Sequence, residues 1–526
     1  MDSSRKADSQ SIPKPPRSSR GSDISARHKP EDHALAASYR RPSFVASSGY
    51  ARSTLLATSP APKSYLQREE VEDLEQEERE LLREHHQPRR THETRVLIKF
   101  SAPLILTFLL QSSEQFSTVF SLGHLGTKEL GARFSVFQGI ITALDTLCSQ
   151  AYGAGKPKLI GVHVQRCLLF LIVLHIPIIA IWLNVEPMLL VLRQDPQISK
   201  LAGRYMRVFA FGMTPFALFE TLKRFMQAQG LMSAATYVLC ITAPINIILN
   251  YVLVWHKTLG FGFLGAPTAV VLTYWLQAIL MLLYIRFIDG RQAWAGFSKA
   301  ALTGWGPMLR LALPGTIMIV SEWAIFEATS IIAGSLGQRP LAAQSILTTT
   351  ASLVFQTPFA LSVAVSTRSG NLIGANLPGP ARIACRTGLL FGAALALFFS
   401  VGLFLARHYI GLLFTSDKRT VALVAEVLPL MSLFVIFDTM GAVAGGVLRG
   451  MGKQRIGAIV NIPSYYLVGL PIGLALAFKT SLGLTGIWIG LSVALFLVSA
   501  VEMYVILRCD WETLVEEAQD ALESTP

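Results

Sequence analysis

The sequence LGTKELGA at residues 125–132 recurs as LGQRPLAA at residues 336–343, 211 positions further along the chain. Two shorter pairs follow in the same order at a spacing of 221: GAGKP at 153–157 with GANLP at 374–378, and GFLG at 262–265 with GLTG at 483–486. Each match is short, but their common order indicates that the chain consists of two similar halves. Such a repeat suits a transporter that alternates access around a central site.

The composition places both halves in a membrane. Hydrophobic residues make up 52% of the 526 residues and charged residues 15%, whereas soluble domains carry roughly 25% charged residues. About twenty apolar residues cross the hydrocarbon core of a bilayer. Segments of that kind lie near 97–120, 132–150, 166–185, 205–228, 233–255, 264–286, 311–335, 341–366, 383–406, 424–448, 456–478 and 484–507. The sequence therefore predicts an all-α polytopic membrane protein with twelve transmembrane helices in two parallel six-helix lobes.

The polar segments define the predicted organisation. An even number of spans places both termini on one side, and a long polar tail without an apolar signal-peptide segment favours the cytosol for that side. We expect a multi-pass protein of the plasma membrane or the vacuolar membrane. The predicted regions are a mostly disordered tail (1–96), an N-lobe (97–290), a linker (291–310), a C-lobe (311–508) and a C-terminal tail (509–526).

The charge and cysteine patterns exclude other classes. The net charge of +12 is compatible with nucleic-acid binding, but many basic residues lie in short loops beside the apolar segments, which is the usual topological signal of membrane proteins. We therefore expect the lipid bilayer as a partner and no nucleic acid. The five cysteines are scattered and indicate neither a disulfide framework nor a metal site. Motifs for ATP use or hydrolysis are absent from the sequence, so we expect no enzymatic activity and no cofactor.

The second predicted span is short. Between the matched positions Ala132 and Gly153 lie 21 steps, whereas Ala343 and Gly374 are separated by 31. The deficit of ten residues corresponds to about 15 Å of helix. We interpret it as the mark of an altered gene product or gene model, which makes an inactive variant one alternative reading. Sequencing the transcript across codons 130–150 tests this hypothesis, because an uninterrupted match would make the short helix genuine.

Carboxyl groups within predicted spans are the candidates for chemistry. Burying an ionisable side chain in a bilayer costs roughly 2.5–3.5 kcal/mol on insertion scales, so such groups usually have a function. Glu322 and Glu327 lie in the seventh predicted span and Asp438 in the tenth. A carboxyl that loses and regains a proton couples transport to a proton gradient, and its ionised form attracts an organic cation. The competing interpretation is a protonated carboxyl that is hydrogen-bonded to a neighbouring helix.

Other polar and aromatic side chains are candidates for lining a cavity. Aromatic rings attract organic cations, although each ring alone is more often part of the core. Asp145, at the end of the second span, is instead expected to cap or anchor the short loop that follows. The cavity candidates identified from the residues themselves are Gln111, Glu114, Glu220, Trp323, Phe326, Phe437 and Tyr465.

Several motifs resemble the multidrug and toxic compound extrusion (MATE) family, in its eukaryotic branch. They are ALDTLCSQAYGA at 143–154, EWAIFE at 322–327, STRSGNLIGA at 366–375, GVLRGMGKQ at 446–454 and Asn461 followed by YYLVGLP at 465–471. The resemblance covers roughly 97–508, and the long polar tail is similar to fungal members. Asn461 joins the cavity candidates on this basis. The short second span departs from the family pattern.

The resemblance implies a fold and an activity. It implies twelve helices in two V-shaped lobes and the export of organic cations or metabolites in exchange for protons. By motif, it implies that Glu322, Glu327 and Asp438 bind proton and substrate. We expect a monomer that needs only an ion gradient, with sodium left open as the coupling ion because carboxylates serve both ions. The alternatives are a major-facilitator transporter, which also has parallel six-helix halves, and a lipid flippase or a non-transporting scaffold.

Overall fold

A computed structural model describes residues 90–122, 136–191, 195–258 and 260–523 of the chain, and the regular elements in these ranges are helical. The predicted all-α fold is confirmed. Most of the tail that was predicted to be disordered lies outside the described residues. The first half contains α1 (Arg90–Leu122), a helical segment at 136–141, α2 (Ala143–Gly153), α3 (Pro157–Leu183), α4 (Val185–Val191), α5 (Pro196–Ala228), α6 (Ser233–Trp255) and α7 (Gly265–Phe287).

The second half follows two short 3₁₀ turns. It contains α8 (Trp305–Ser335), α9 (Gln338–Gly374), α10 (Pro378–Ile410), α11 (Lys418–Met451), α12 (Gln454–Ile462), a π-helical segment (Pro463–Gly469), α13 (Leu470–Lys479), α14 (Leu484–Arg508) and α15 (Trp511–Glu523). The helices α1 and α8 begin at Arg90 and Trp305, before the starts predicted for their spans, because hydropathy does not detect polar helical turns outside the bilayer. The helix α15 lies in a segment that was expected to be a simple tail.

Ten helices in the described ranges are long and apolar enough to cross a membrane. The other two predicted spans are helical as well. The fourth corresponds to α5, which is 33 residues long but carries Glu220, Lys223 and Arg224 close together. The described part of the second covers 136–153 and is interrupted by a turn at Thr142. At 1.5 Å per residue this part is about 27 Å long.

The described residues form hydrophobic cores within the membrane body, and two of these cores involve α8. One consists of side chains between residues 137 and 312 together with Leu522, and the other of side chains between residues 325 and 498. The first residues of α8, including Met308 and Ala312, pack into the first core, whereas Ile325 packs into the second. The helix α8 therefore connects the two cores. This matters for function because Glu322 lies on α8 close to the second core.

The start of α11 has a polar cap outside the membrane segment. The carboxylate of Asp417 accepts hydrogen bonds from the backbone N–H groups of Arg419 and Thr420 at 3.2 Å and from the Thr420 hydroxyl at 2.6 Å. The hydrogen bond from that hydroxyl is the main reason that the pKa of Asp417 lies below its ordinary value. Capping satisfies backbone donors that have no partner in the first turn. The cap fixes the beginning of the helix that carries Asp438.

Candidate substrate and ion site

Two predicted acids lie near each other within the second half. Asp438 on α11 is buried, and Glu322 on α8 is partly exposed and close enough to interact with it electrostatically. The side chain of Tyr465 in the π-helical segment is buried and interacts with both carboxyl groups. Single turns of π-helix often occur at functional sites because they displace side chains from the regular helical positions. The structure therefore brings three predicted residues together.

Hydrogen bonds hold the π-helical segment and its preceding helix against α8. The Asn461 side chain donates to the Met318 carbonyl at 3.2 Å, and the Tyr466 hydroxyl donates to the Ser321 carbonyl at 3.0 Å. Both acceptors lie within one turn of Glu322. The side-chain amide oxygen (Oδ1) of Asn461 is buried without a hydrogen-bond partner among the described residues. Asn461 thus links α12 to α8 close to Glu322.

The aromatic candidates differ in environment. Phe326 and Phe437 are partly buried and make edge-to-face contacts with Phe434 and Phe496, at centroid distances of 6.0 and 5.3 Å. Trp323 is instead 43% exposed. Glu327, five residues after Glu322 on α8, is partly buried.

An apolar pocket lies beside Tyr465. It is formed between α8, the π-helical segment, α13 and α14, and Thr329 and Tyr465 are the side chains that bring polar atoms to it. The other lining residues are Ile325, Ile332, Gly469, Leu470, Gly473, Leu474, Ile487, Leu491 and Ala494. The lining is therefore apolar apart from the side chains of Thr329 and Tyr465.

The polar candidates of the first half form hydrogen bonds with side chains of the same half. Glu114 is buried and accepts hydrogen bonds from Gln277 at 2.8 and 2.9 Å and from the Thr242 hydroxyl at 3.1 Å. Gln111 donates to Glu220 at 2.9 Å. The contact joins two of the predicted cavity candidates, and their role in lining a cavity stays a prediction.

Glu220 also forms an ion pair within its own helix. The ammonium group of Lys223 lies 2.6 Å from the Glu220 carboxylate, and both side chains are buried. A spacing of three residues places both groups on one face of a helix. A negative charge on Glu220 is therefore already balanced within α5, whereas the titratable groups recorded beside Asp438 are Glu322 and Tyr465.

Asp145 has a different position from the one predicted. Its carboxylate does not cap a helix but lies 3.3 Å from the Arg224 guanidinium and 3.4 Å from that of Arg449. Arg224 belongs to the first half and Arg449 to the second. The prediction was wrong because Asp145 was assigned by its closeness to a loop, whereas its partners come from α5 and α11. The ion pairs join the two halves near the ends of the helices that lie on the side of both termini.

Further contacts join the two halves on the same side. Together with the ion pairs of Asp145, these contacts form what we call the tail-side junction. Gln150 donates to the Gly450 carbonyl at 3.1 Å, and Thr146 donates to the carbonyl of Arg449. Glu93 at the start of α1 forms two hydrogen bonds with Arg368 of α9, at 2.6 and 2.8 Å, and both side chains are fully buried. The described structure is thus closed between the halves on this side.

The helix α15 extends across the same junction. The Lys156 ammonium group donates to the Leu522 carbonyl at 3.0 Å, and Gln519 donates to the carbonyls of Ile373 and Gly374 at 3.0 Å. Lys156 belongs to the first half, whereas Ile373 and Gly374 belong to the second. Buried positions 511, 514, 515, 518 and 522 form the apolar face of α15. The helix therefore fastens both halves.

We expect Leu514→Ala to destabilise the protein. Leu514 is buried on the apolar face of α15, and a buried leucine truncated to alanine costs about 2–5 kcal/mol through lost burial and the remaining cavity. Thermal unfolding of the purified protein in detergent measures the change. Glu516→Ala, at an exposed position of the same helix, is the control and should change stability by no more than about 0.5 kcal/mol. Equal melting temperatures for both variants would contradict the packing of α15.

Sequence reasoning missed two residues near the acids. Glu502 on α14 is fully buried and interacts electrostatically with Glu322 and with Arg449. Glu502 lies inside the last predicted span, so the rule that identified Asp438 also applies to it. Arg449 follows Asp438 by eleven residues on α11 and interacts electrostatically with Glu322. Its role depends on contacts between helices, for which the sequence contains no local signal.

The chain matches known proteins over most of its membrane body. The family model described as MatE matches residues 103–252 and 314–475. An uncharacterized transporter of Schizosaccharomyces pombe is 47% identical over 442 residues, which cover 82% of this chain and 83% of that protein. Multidrug and toxin extrusion protein 1 of Homo sapiens is 35% identical over 439 residues, which cover 81% and 77%.

A solved structure is similar as well. The crystal structure of the eukaryotic MATE transporter AtDTX14 superimposes with a TM-score of 0.75 at 31% sequence identity. The similarity covers 82% of this chain and 99% of that one. The shared region includes both halves, and therefore the helices that carry Glu322 and Asp438.

Proposed function

Because the chain belongs to the MatE family, we propose that it is a secondary antiporter that exports organic cations in exchange for protons. Its family is one of transporters, and the chain is an integral, multi-pass membrane protein. The family match replaces the alternative of a major-facilitator transporter. The observation that supports the exchange chemistry is the pair of carboxyl groups, Glu322 and Asp438, that lie near each other within the second half.

The pair provides a physical basis for exchange. When both carboxyl groups are ionised, they repel each other, and in a medium of low dielectric constant this repulsion is stronger than in water. Either a proton or an organic cation relieves it. A proton bound to Asp438 removes the charge that attracts the cation, so the two ligands compete for one site. Competition of this kind is sufficient for antiport when the site opens alternately to the two sides of the membrane.

The neighbouring groups give the site its selectivity for organic ions. The apolar side chains beside Tyr465 offer contacts for hydrocarbon substituents, and the carboxylates provide the counter-charge. A lipid flippase for anionic headgroups would need basic groups available to the substrate, whereas Glu322, Glu327 and Asp438 are acidic and the neighbouring Arg449 pairs with Asp145. These features support an organic cation or an amphipathic metabolite as the substrate class.

The tail-side junction supports an assignment of state. With both termini in the cytosol, the ion pairs of Asp145 and Glu93 close the path between the halves on the cytosolic side. We assign the structure to the part of the cycle in which substrate does not exchange with the cytosol. We further propose that the protein acts as a monomer in the plasma membrane or the vacuolar membrane, which size determination in detergent and fluorescence microscopy of the tagged chain would test.

Transport by the purified protein in liposomes tests the function. The probe is radiolabelled tetraethylammonium, whose permanent charge prevents a pH gradient from trapping it without a carrier. We expect liposomes with an acidic lumen to accumulate it as protons leave, and we expect accumulation to stop when an ionophore collapses the gradient. A parallel series with a sodium gradient at constant pH identifies the coupling ion. Accumulation equal to that of protein-free liposomes under both gradients would refute the proposal.

A further inference from the structure

Glu502 is a buried acid that the exchange proposed for Glu322 and Asp438 does not use. It lies on α14, is fully buried, and neither of its carboxylate oxygens has a hydrogen-bond partner among the described residues. Burying a carboxyl without hydrogen bonds is costly. A group that remains buried at such a cost within a membrane usually serves an ion pathway.

The backbone leaves space for this carboxyl. A Cβ atom added to Gly457 of α12 would lie 3.0 Å from one oxygen of Glu502, and one added to Gly445 of α11 would lie 3.8 Å from the other. Contacts at 3.0 Å force neighbouring atoms to move. A side chain at Gly457 would therefore press on both Met318, whose sulfur would lie 2.7 Å from the added atom, and the Glu502 carboxyl. Three helices, α11, α12 and α14, meet at this point.

The titratable neighbours of Glu502 connect it to the candidate site and to the tail-side junction. Glu322 faces it from α8 and Tyr465 from the π-helical segment, and both belong to the candidate site. Arg449 faces it from α11 and also pairs with Asp145 at 3.4 Å in the tail-side junction. Arg449 thus lies between two carboxylates, one inside the second half and one in the first half.

We propose that Glu502 is a further proton-binding residue of this site and that, through Arg449, it connects proton binding with the tail-side junction. This inference rests on the proposed function. When Glu502 is ionised, it competes with Asp145 for the Arg449 guanidinium. When a proton binds to a carboxylate oxygen of Glu502, the attraction ends, and Arg449 remains with Asp145. Proton occupancy of the site therefore changes the strength of the contact between the halves.

Proton release on substrate binding tests the inference. Purified wild-type protein in weak buffer with a pH indicator is mixed with tetraethylammonium, and the protons released per bound cation are counted. We expect Glu502→Gln to release about one proton fewer at the pH where release by the wild-type protein is greatest. Its transport in liposomes should also depend less steeply on pH. Glu426→Gln, which removes an exposed carboxyl on α11, is the control and should behave as the wild type does.

The outcomes separate the two proposals. If wild-type protein transports tetraethylammonium and Glu502→Gln shows unchanged proton release and an unchanged pH profile, the role of Glu502 is refuted and the proposed function stands. If the wild-type protein neither transports nor releases protons, both are refuted. If Glu502→Gln does not fold, Glu502→Asp provides the test. It retains the acid but changes its distance from Arg449, so a pH profile identical to that of the wild type would refute the inference.

Discussion

Asp438→Asn is expected to reduce the rate of proton-driven tetraethylammonium transport strongly. Asparagine has nearly the same shape as aspartate but cannot exchange a proton or attract a cation by charge. Interactions with a charged group contribute about 1.5–3 kcal/mol, and each 1.4 kcal/mol corresponds to a factor of ten. The initial rate in liposomes with an acidic lumen should therefore fall by about 10- to 150-fold.

Two further measurements make this experiment decisive. Exchange of labelled for unlabelled tetraethylammonium without a pH gradient reports substrate binding alone, and we expect Asp438→Asn to be defective there as well, because the same carboxyl attracts the cation. Glu426→Gln removes an exposed carboxyl on the same helix and should transport normally. Gradient-driven transport by Asp438→Asn at the wild-type rate would move the coupling site elsewhere, and Glu322→Gln would then be the next variant to measure.

The helical fold and the family could be predicted from the sequence because both depend on local patterns. Apolar segments of sufficient length determine the spans, and the motifs around residues 143–154 and 446–454 carry the resemblance, which the MatE match confirms. The predicted roles of Glu322, Glu327 and Asp438 remain predictions. What the structure adds is that Glu322 and Asp438 are near each other, which their separation of 116 positions does not reveal.

Other features were missed for identifiable reasons. The partners of Asp145 come from α5 and α11, and such contacts depend on how helices pack rather than on any local sequence pattern. The helix α15 had a local signal, because Trp511, Leu514 and Val515 begin an apolar stripe at helical spacing. That signal was overlooked because the stripe is too short to span a membrane. The pair of Glu220 and Lys223 was also visible as a helical spacing of three.

The buried pair of Glu93 and Arg368 yields the largest expected effect on stability. Both side chains are fully buried, and the two hydrogen bonds between them measure 2.6 and 2.8 Å. Removing one member of such a pair leaves a buried charge without compensation, which costs about 3–5 kcal/mol. Glu93→Gln and Arg368→Gln should each lower the free energy of unfolding by this amount. Chemical unfolding of the purified protein in detergent measures it.

A double-variant cycle shows whether the cost arises from the pair itself. The variant with both substitutions contains no buried charge at this position, so its loss of stability should be smaller than the sum of the two single losses. Arg95→Gln, at an exposed position of α1, is the control and should be nearly neutral. Additive losses would mean that the two groups act independently, contrary to their contact. Because α1 and α9 belong to different halves, the single variants should also weaken the tail-side junction. We therefore expect these variants to exchange tetraethylammonium across the membrane faster than the wild type when no gradient is present.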